Sequence, residues 1–406
     1  MEVVLLGTGS AAGWPDPHCA CASCQAQRAS AEIRGPTAVL VDGVLLLDGG
    51  PETPWAAERA GRSFAAVRTM LRTDAQPDAA VRVVGARSGD LLDLGEHAVR
   101  ALAAAHDSEA VLYDVTGAGG ARLLYTSAAG PLPRPTLEAV AGAAYDIVLL
   151  PLDPGGFPAQ LRALRECGAA IYRTDVVPVH LDHRSPPEPE LSRRLAGWGA
   201  RAMPDGAVLR VGRPAPARRP VAPRRVLVIG GARSGKSAEA ERRLSAEPGV
   251  TYVATGGGRD DDAEWVARVA AHRARRPASW RTVETADVAQ AVAEAAGPVL
   301  VDCLTLWLTG VLEESGAWSG DADADVADLV EDRIATLVAA WRATRVPVVA
   351  VTNEVGSGVV PATAAGRLFR DALGRLNQRI AAESDEVVLV VAGQALPLRA
   401  TQGSRS

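Results

Sequence analysis

Short apolar runs alternate with helix-spaced amphipathic stretches through the second half of the chain. Arg225–Ile229 is a strand-like run that ends in a glycine-rich turn and passes into a helical pattern from Lys236. Val250–Ala254, Pro298–Val301, Val348–Val351 and Glu386–Val391 read as further strands, and stretches near 263–273, 325–344 and 363–383 read as helices. This alternation predicts a mainly parallel sheet with helices on both faces. The first half carries more and shorter apolar runs, at 2–6, 37–41, 44–47, 81–84, 111–115, 122–126, 146–150 and 176–179, with helical spacing near 55–72, 135–142 and 157–167. Asp42-Gly43 between two of those runs predicts a hairpin turn. The first half is therefore read as a mixed α/β layer structure.

Residues 212–224, GRPAPARRPVAPR, lack apolar periodicity and read as an extended linker between domains 1–211 and 225–406. The total of 406 residues fits that division. A formal net charge of −5 speaks against a broad nucleic-acid surface. No apolar run reaches the length of a membrane span, and the first residues do not read as a secretory signal. Three of the five cysteines fall within six residues, a spacing that suits a metal cluster in a reducing compartment better than a disulfide framework. A cytoplasmic address is the expectation.

One lysine, Lys236, stands among 43 basic residues. A chain that uses arginine for every other cation keeps lysine where a compact ammonium on a flexible stem is needed. Lys236 sits in Gly230, Gly231, Ala232, Arg233, Ser234, Gly235, Lys236, Ser237, which fits G-x-x-x-x-G-K-S between a strand and a helix. Such a loop turns its backbone N–H groups toward phosphates, Lys236 reaches the β- and γ-phosphates, and Ser237 can hold Mg²⁺. Asp302 ends the strand VLVD, where a second magnesium-binding carboxylate would lie, although a strand-end Asp can equally cap a helix. His272 lies among Arg268, Arg273, Arg275 and Arg276; it reads either as a surface histidine at a helix C-terminus or as a nucleophile or phosphate ligand.

The second half closely resembles the adenosylcobinamide kinase / adenosylcobinamide-phosphate guanylyltransferase family. The matching segments are GGARSGKS at 230–237, YVAT at 252–255, EWVARVAAHRARRPASWRTVE at 264–284, VDCLTLWLT at 301–309, VTNEVGSGVVP at 351–361 and GRLFRDALGRLNQRIAAESDEVVLVVAG at 366–393. The resemblance implies a P-loop fold, ATP and GTP as substrates with Mg²⁺, and adenosylcobinamide and its phosphate as acceptors. It implies that His272 carries GMP as a phosphoramidate, that Lys236 and Asp302 serve catalysis, and that Thr255, Glu284 and Glu354 join the nucleotide-binding residues. It also implies a homo-oligomer of the second half, with a trimer as one expected form. Position 271 is Ala where family members often carry a second histidine, and the loop after Thr255 is about two residues longer; its Asp260–Asp262 either cap the next helix or order magnesium. Arg367 and Arg370 are open between phosphate binding and a solvated helix face. The alternative to both reactions is a nucleotide-binding module or a kinase without guanylyl transfer.

LLGTGSAAG at 5–13, HCACASCQAQRAS at 18–30 and LLLDGGP at 45–51 resemble the metallo-β-lactamase superfamily, near its phosphonate-pathway phosphodiesterases and pyrroloquinoline-quinone accessory proteins. That implies an αββα layer order. The H-x-H-x-D-H run of the dinuclear enzymes is missing, Ser127 falls where a bridging Asp is expected, and only His106 and His180 match ligand positions, so no metallohydrolase activity is expected. Cys19, Cys21, Cys24 and His183 match the structural-zinc ligands of that branch. Cys167 and Cys303 read as core residues.

Overall fold

The computed structural model describes residues 1–30, 32–73, 83–106, 109–153, 156–211, 225–256, 267, 270, 273–274, 276–318 and 324–399. The chain forms two compact units, Met1–Val221 and Ala222–Ser406.

Among the described residues twelve strands build the first unit: β1 Glu2–Gly7, β2 Ala38–Val41, β3 Leu45–Leu47, β4 Thr69–Leu71, β5 Val83–Val84, β6 Leu91–Asp93, β7 His97–Ala103, β8 Val111–Gly117, β9 Arg122–Thr126, β10 Ile147–Pro151, β11 Asp175–Val179 and β12 Ala207–Arg210. They make two six-stranded sheets, β12-β1-β2-β3-β4-β5 and β11-β10-β9-β8-β7-β6. Alternation along β1 explains how the layers close. Val3 and Leu5 enter the core between the sheets with Val39, Leu45, Tyr113, Tyr125 and Ile147. Val4 and Leu6 face the opposite way and cover Ala56 and Ala57 of the helix Thr53–Arg59. On the other sheet the helix Gly156–Glu166 lays Phe157, Leu161 and Leu164 against β10. The layer order is αββα. The predicted turn at Asp42-Gly43 joins β2 to β3, both residues at positive φ.

The helix expected over 55–72 is shorter. It stops at Arg59, Gly61 takes φ +67°, Ser63 caps a single 3₁₀ turn at Phe64–Ala66, and Thr69–Leu71 pairs with β3 as β4. The alanines suit either conformation; the free edge of β3 and the left-handed glycine decide for the strand. β6 and β7 were not read as strands, because HAVRALA lacks β-branched residues apart from one valine.

The second unit holds one seven-stranded sheet. Its strands are β13 Arg225–Gly230, β14 Thr251–Ala254, β15 Arg281–Glu284, β16 Val299–Asp302, β17 Val348–Asn353, β18 Glu386–Val391 and β19 Gln394–Arg399, in the order β15-β14-β16-β17-β13-β18-β19. Every pair is parallel except β18–β19. Both faces are covered. Leu227, Ile229, Val301 and Ala350 pack with Trp307, Trp341 and Leu376 from the helices Leu304–Glu314, Ala324–Ala343 and Ala364–Ala382. Val226, Val228, Leu300 and Val349 pack with Ala240 and Leu244 of the helix Lys236–Leu244. Burial on two sides is why these strands read as unbroken apolar runs. β19 escaped the sequence reading because Pro397 interrupts it, which an edge strand tolerates. The expected linker 212–224 and most of the expected helix 263–273 lie outside the described residues.

Candidate functional site

Gly230 ends the central strand β13 between β17 and β18, so the phosphate-loop sequence leaves the sheet at its carboxyl edge. A Cβ on Gly230 would lie 2.5 Å from Ser234 Oγ and 2.6 Å from the Val390 carbonyl oxygen, so the turn has room for glycine only. Arg233 and Gly235 both adopt positive φ, +55° and +96°, and Gly235 forms the N-cap of the helix beginning at Lys236. The Gly393 amide donates to the Ser234 carbonyl at 2.8 Å, pinning the loop to the β18–β19 turn. Lys236 is buried, and its Nζ donates to the Gly231 carbonyl at 3.0 Å across the loop. Ser234 Oγ is buried without a hydrogen-bond partner among the described residues. Ser237 is half-buried on the first helical turn, and Gly231, Ala232 and Arg233 are exposed. A helix N-terminus, a run of loop amides and a buried ammonium together make a site for phosphate oxygens.

The helix behind this loop is fixed by charge. Arg243 forks onto Glu386 of β18 at 2.8 and 2.7 Å and reaches Glu239 at 2.9 Å, all three side chains buried. Arg242 also pairs with Glu239.

Asp302 ends β16, two strands from β13. Tyr252 of β14 donates its hydroxyl to Asp302 Oδ2 at 2.7 Å. Burial, with the Asp302 charge beside it, pushes the Tyr252 phenol far above its ordinary value, so it remains a donor. Thr255 binds the next residue: its hydroxyl donates to the Cys303 carbonyl at 2.7 Å and accepts from the Cys303 amide at 2.9 Å. Burial and the Asp302 charge push the Cys303 thiol up to about 11, which keeps it neutral. Under the end of β17, Asn353 donates its amide to Thr305 Oγ1 at 2.8 Å, and Asn377 donates to the Asn353 carbonyl at 3.0 Å.

Glu354 follows at the same edge; its amide donates to the Gly230 carbonyl at 3.3 Å and its carboxylate accepts from the Gly356 amide at 2.6 Å. Glu284 closes β15 as an exposed residue paired with Arg273 at 2.9 Å. Thus Gly230–Ser237, Thr255, Asp302, Glu284 and Glu354 all lie at carboxyl ends of one sheet. Arg367 donates to the carbonyls of Pro361 and Ala362, and Arg370 to that of Gly356, so both brace the loop after β17. His272 and Asp260–Asp262 lie outside the described residues. Tyr252, Thr305 and Asn377 were not singled out from the sequence; their partners are distant along the chain, and only the strand order brings them together.

In the first unit, Cys19, Cys21, Cys24 and His183 each offer a ligand atom, all within 4.8 Å of one another. His183 Nδ1 is buried and without a partner among the described residues. The backbone amide of Cys24 and the neighbouring Cys19 thiol hold Cys21 below its ordinary value, whereas burial raises Cys24. Three thiols and an imidazole at this spacing fit a closed tetrahedral zinc site. Among the described residues this is the group of three or more metal-binding side chains. Around Asp48, hydroxyl groups gather. Asp48 accepts from the Thr73 amide and hydroxyl, both at 2.7 Å, and from Tyr125 at 2.5 Å; Thr73 also meets Ser127. Tyr125 lies 3.5 Å from His180 Nε2, and His106 is exposed. Burial lowers the His180 imidazole against the opposing pull of Asp48. Cys167 is half-buried and Cys303 buried.

Over 52% of this chain, the structure of Zn(2+)-bound PqqB from Methylobacterium extorquens superposes along its whole length with 16% identity and a TM-score of 0.41. The bifunctional adenosylcobalamin biosynthesis protein CobU of Salmonella typhimurium is 43% identical over 180 residues, 41% of this chain and 96% of that protein. CobP of Pseudomonas aeruginosa, described in the same words, is 42% identical over 185 residues, 43% of this chain and 97% of that protein. Residues 226–398 match the family described as cobinamide kinase / cobinamide phosphate guanyltransferase. With that match spanning the phosphate loop, Asp302 and the loop after β17, the chain belongs through its second half to the cobinamide kinase / cobinamide phosphate guanyltransferase family.

Proposed function

We propose that the second half catalyses two successive transfers in cobalamin biosynthesis. The first moves a phosphoryl group from ATP or GTP to the terminal hydroxyl of adenosylcobinamide. The second moves GMP from GTP to the resulting phosphate and releases pyrophosphate, giving adenosylcobinamide-GDP. The observation that carries this reading is the buried Lys236 inside a strand–loop–helix phosphate cradle, within a chain of this family.

In this reading the amides of 231–236 and the helix N-terminus orient the phosphates, and the Lys236 ammonium offsets charge on the β- and γ-oxygens. Ser237 and Asp302 would supply the hard oxygen donors that hold Mg²⁺, and the ion would contribute Lewis-acid chemistry when bound. Thr255, Glu284 and Glu354 contact nucleotide or acceptor at the sheet edge. A ring nitrogen of neutral His272 bonds to the α-phosphorus of GTP as the bond to the pyrophosphate oxygen breaks. A phosphate oxygen of the acceptor then bonds to the same phosphorus, and the phosphorus–nitrogen bond breaks to restore His272.

The first half, 1–211, is assigned a structural zinc on Cys19, Cys21, Cys24 and His183, with 212–224 as linker to 225–406. The unpartnered His183 Nδ1 supports the zinc. A cytoplasmic homo-oligomer that acts on small molecules and not on nucleic acid completes the proposal; among the described residues no helix is long and apolar enough to cross a membrane.

The test incubates the protein with α-labelled GTP and Mg²⁺. Acid-labile label that survives denaturation and is lost in His272→Ala is expected. Intact GTP binding without covalent label overturns the transferase step and leaves a kinase.

A further inference from the structure

Arg276 stacks on Tyr252. Its guanidinium carbon lies 3.2 Å from the ring centroid, while the hydroxyl at the other end of that ring donates to Asp302. The Tyr252 ring is 3% exposed, so both contacts are sheltered from water. Arg276 Nη1 reaches Thr282 Oγ1 of β15 at 3.4 Å, and Arg273 pairs with Glu284 at the end of the same strand. Arg276 Nε is buried and has no hydrogen-bond partner among the described residues, so the ring face is a principal support of this cation. Arg276 follows His272 by four positions in the chain.

We infer that Tyr252 is a positioning residue that links the phosphate site to the segment bearing His272: its hydroxyl sets the Asp302 carboxylate, and its ring face seats Arg276. The inference deepens the reading proposed above and rests on it for the role of His272. The two contacts use different parts of one rigid side chain. The hydroxyl holds Oδ2 of Asp302 and so fixes the plane and direction of the carboxylate. The ring face, an electron-rich surface, favours the Arg276 cation in one place. Displacing either partner tilts the same ring.

The test uses the full chain and three variants: Tyr252→Phe, which keeps the ring and removes the hydroxyl, Tyr252→Leu, which removes both, and Arg276→Gln. Tyr252→Phe is expected to raise the Mg²⁺ concentration for half-maximal guanylyl labelling about tenfold, the order of one charge-assisted hydrogen bond. The maximal labelling at saturating Mg²⁺ and the GTP affinity measured without Mg²⁺ stay within about twofold. Arg276→Gln is expected to slow labelling about tenfold in the wild-type background, and less than twofold in Tyr252→Leu, because the support is already gone.

An unchanged Mg²⁺ requirement in Tyr252→Phe overturns the hydroxyl's role. Effects of Arg276→Gln and Tyr252→Leu that multiply overturn the seating of Arg276. If Tyr252→Leu fails to fold by circular dichroism, Tyr252→Phe with Arg276→Gln serves: the ring persists, and the Arg276→Gln loss is expected undiminished there. Should the wild-type chain bind GTP and take no label, the guanylyl-histidine reading fails on its own. The Mg²⁺ requirement for phosphorylation of cobinamide in Tyr252→Phe then decides the inference for the hydroxyl.

Discussion

The Thr255 hydroxyl bonds both the amide and the carbonyl of Cys303, at 2.9 and 2.7 Å. One side chain just after β14 thereby satisfies the Cys303 amide and shares the Cys303 carbonyl with the Trp307 amide, which donates to it at 3.1 Å. Thr255→Val keeps the shape and removes the oxygen. It is expected to cost about 1–3 kcal/mol, because the Cys303 amide loses its partner, while the carbonyl keeps the Trp307 amide at 3.1 Å. Thr255→Ser should recover most of that. Urea unfolding of the three proteins checks it, and a Ser variant as unstable as the Val variant would point to lost methyl packing instead.

Lys236→Arg keeps the charge and is expected to lower phosphoryl transfer to cobinamide by about 10²-fold or more, with an unchanged circular dichroism spectrum. A planar guanidinium cannot fold into the space between the helix and the Gly231 carbonyl that the ammonium fills. Near-wild-type turnover in this variant would remove Lys236 from the phosphate site.

Among the described residues Arg243 is the side-chain partner of Glu386, and it shares Glu239 with Arg242. Arg243→Met strands a carboxylate in the core and is expected to cost about 3–5 kcal/mol. Adding Glu386→Met should return much of it, since an apolar pair replaces an ion pair rather than half of one. Chemical denaturation of single and double variants reads the cycle directly; equal losses in both would show that packing around the arginine stem dominates.

Metal analysis of the purified chain is expected to give about one zinc per chain, lost in Cys24→Ser and His183→Ala. Chelation should lower the thermal midpoint of the first unit's transition. A chain that carries no zinc after growth with the metal, and gains no stability when it is added, would leave these cysteines as plain thiols.

Stability of the first unit is expected to fall as pH drops through about 6.5, the ordinary histidine range. Burial lowers the His180 imidazole in the folded chain, so below that pH the unfolded chain binds a proton that the folded chain refuses. The contribution is present above about 6.5 and lost with acidification, and His180→Gln should flatten that part of the profile. A variant whose profile between pH 7 and 5 matches the wild type would assign the loss to other groups.

Much of the second unit was legible because its chemistry is contiguous. Strand, glycine turn, lone lysine and helix follow one another within 225–244, and parallel strands buried on two faces announce themselves as apolar runs. What stayed hidden depends on who neighbours whom. Tyr252 and Asp302 stand fifty positions apart and meet only because β14 lies beside β16. Arg367 and Arg370 stayed open between two roles because carbonyl partners leave no mark in a sequence. In the first unit, alanine-rich segments such as 55–72 and 97–103 satisfy helix and strand spacing alike, so pairing with β3 and β8 decided them.

Pairing across the second sheet also sets what evolution or an engineer can alter. Gly230 is opposite Asn353, Val351 of the same strand is opposite Asp302, and Asp302 is opposite Ala254. Each step across is about 4.8 Å, so the loops after these residues start from points spaced like marks on a scale. Removing one residue inside any of the four strands shifts its mark by about 3.3 Å and turns its side chains over. Adding residues beyond the marks moves none of them. A change of chain length is therefore tolerated in a connection beyond a strand end where it is not tolerated inside a strand.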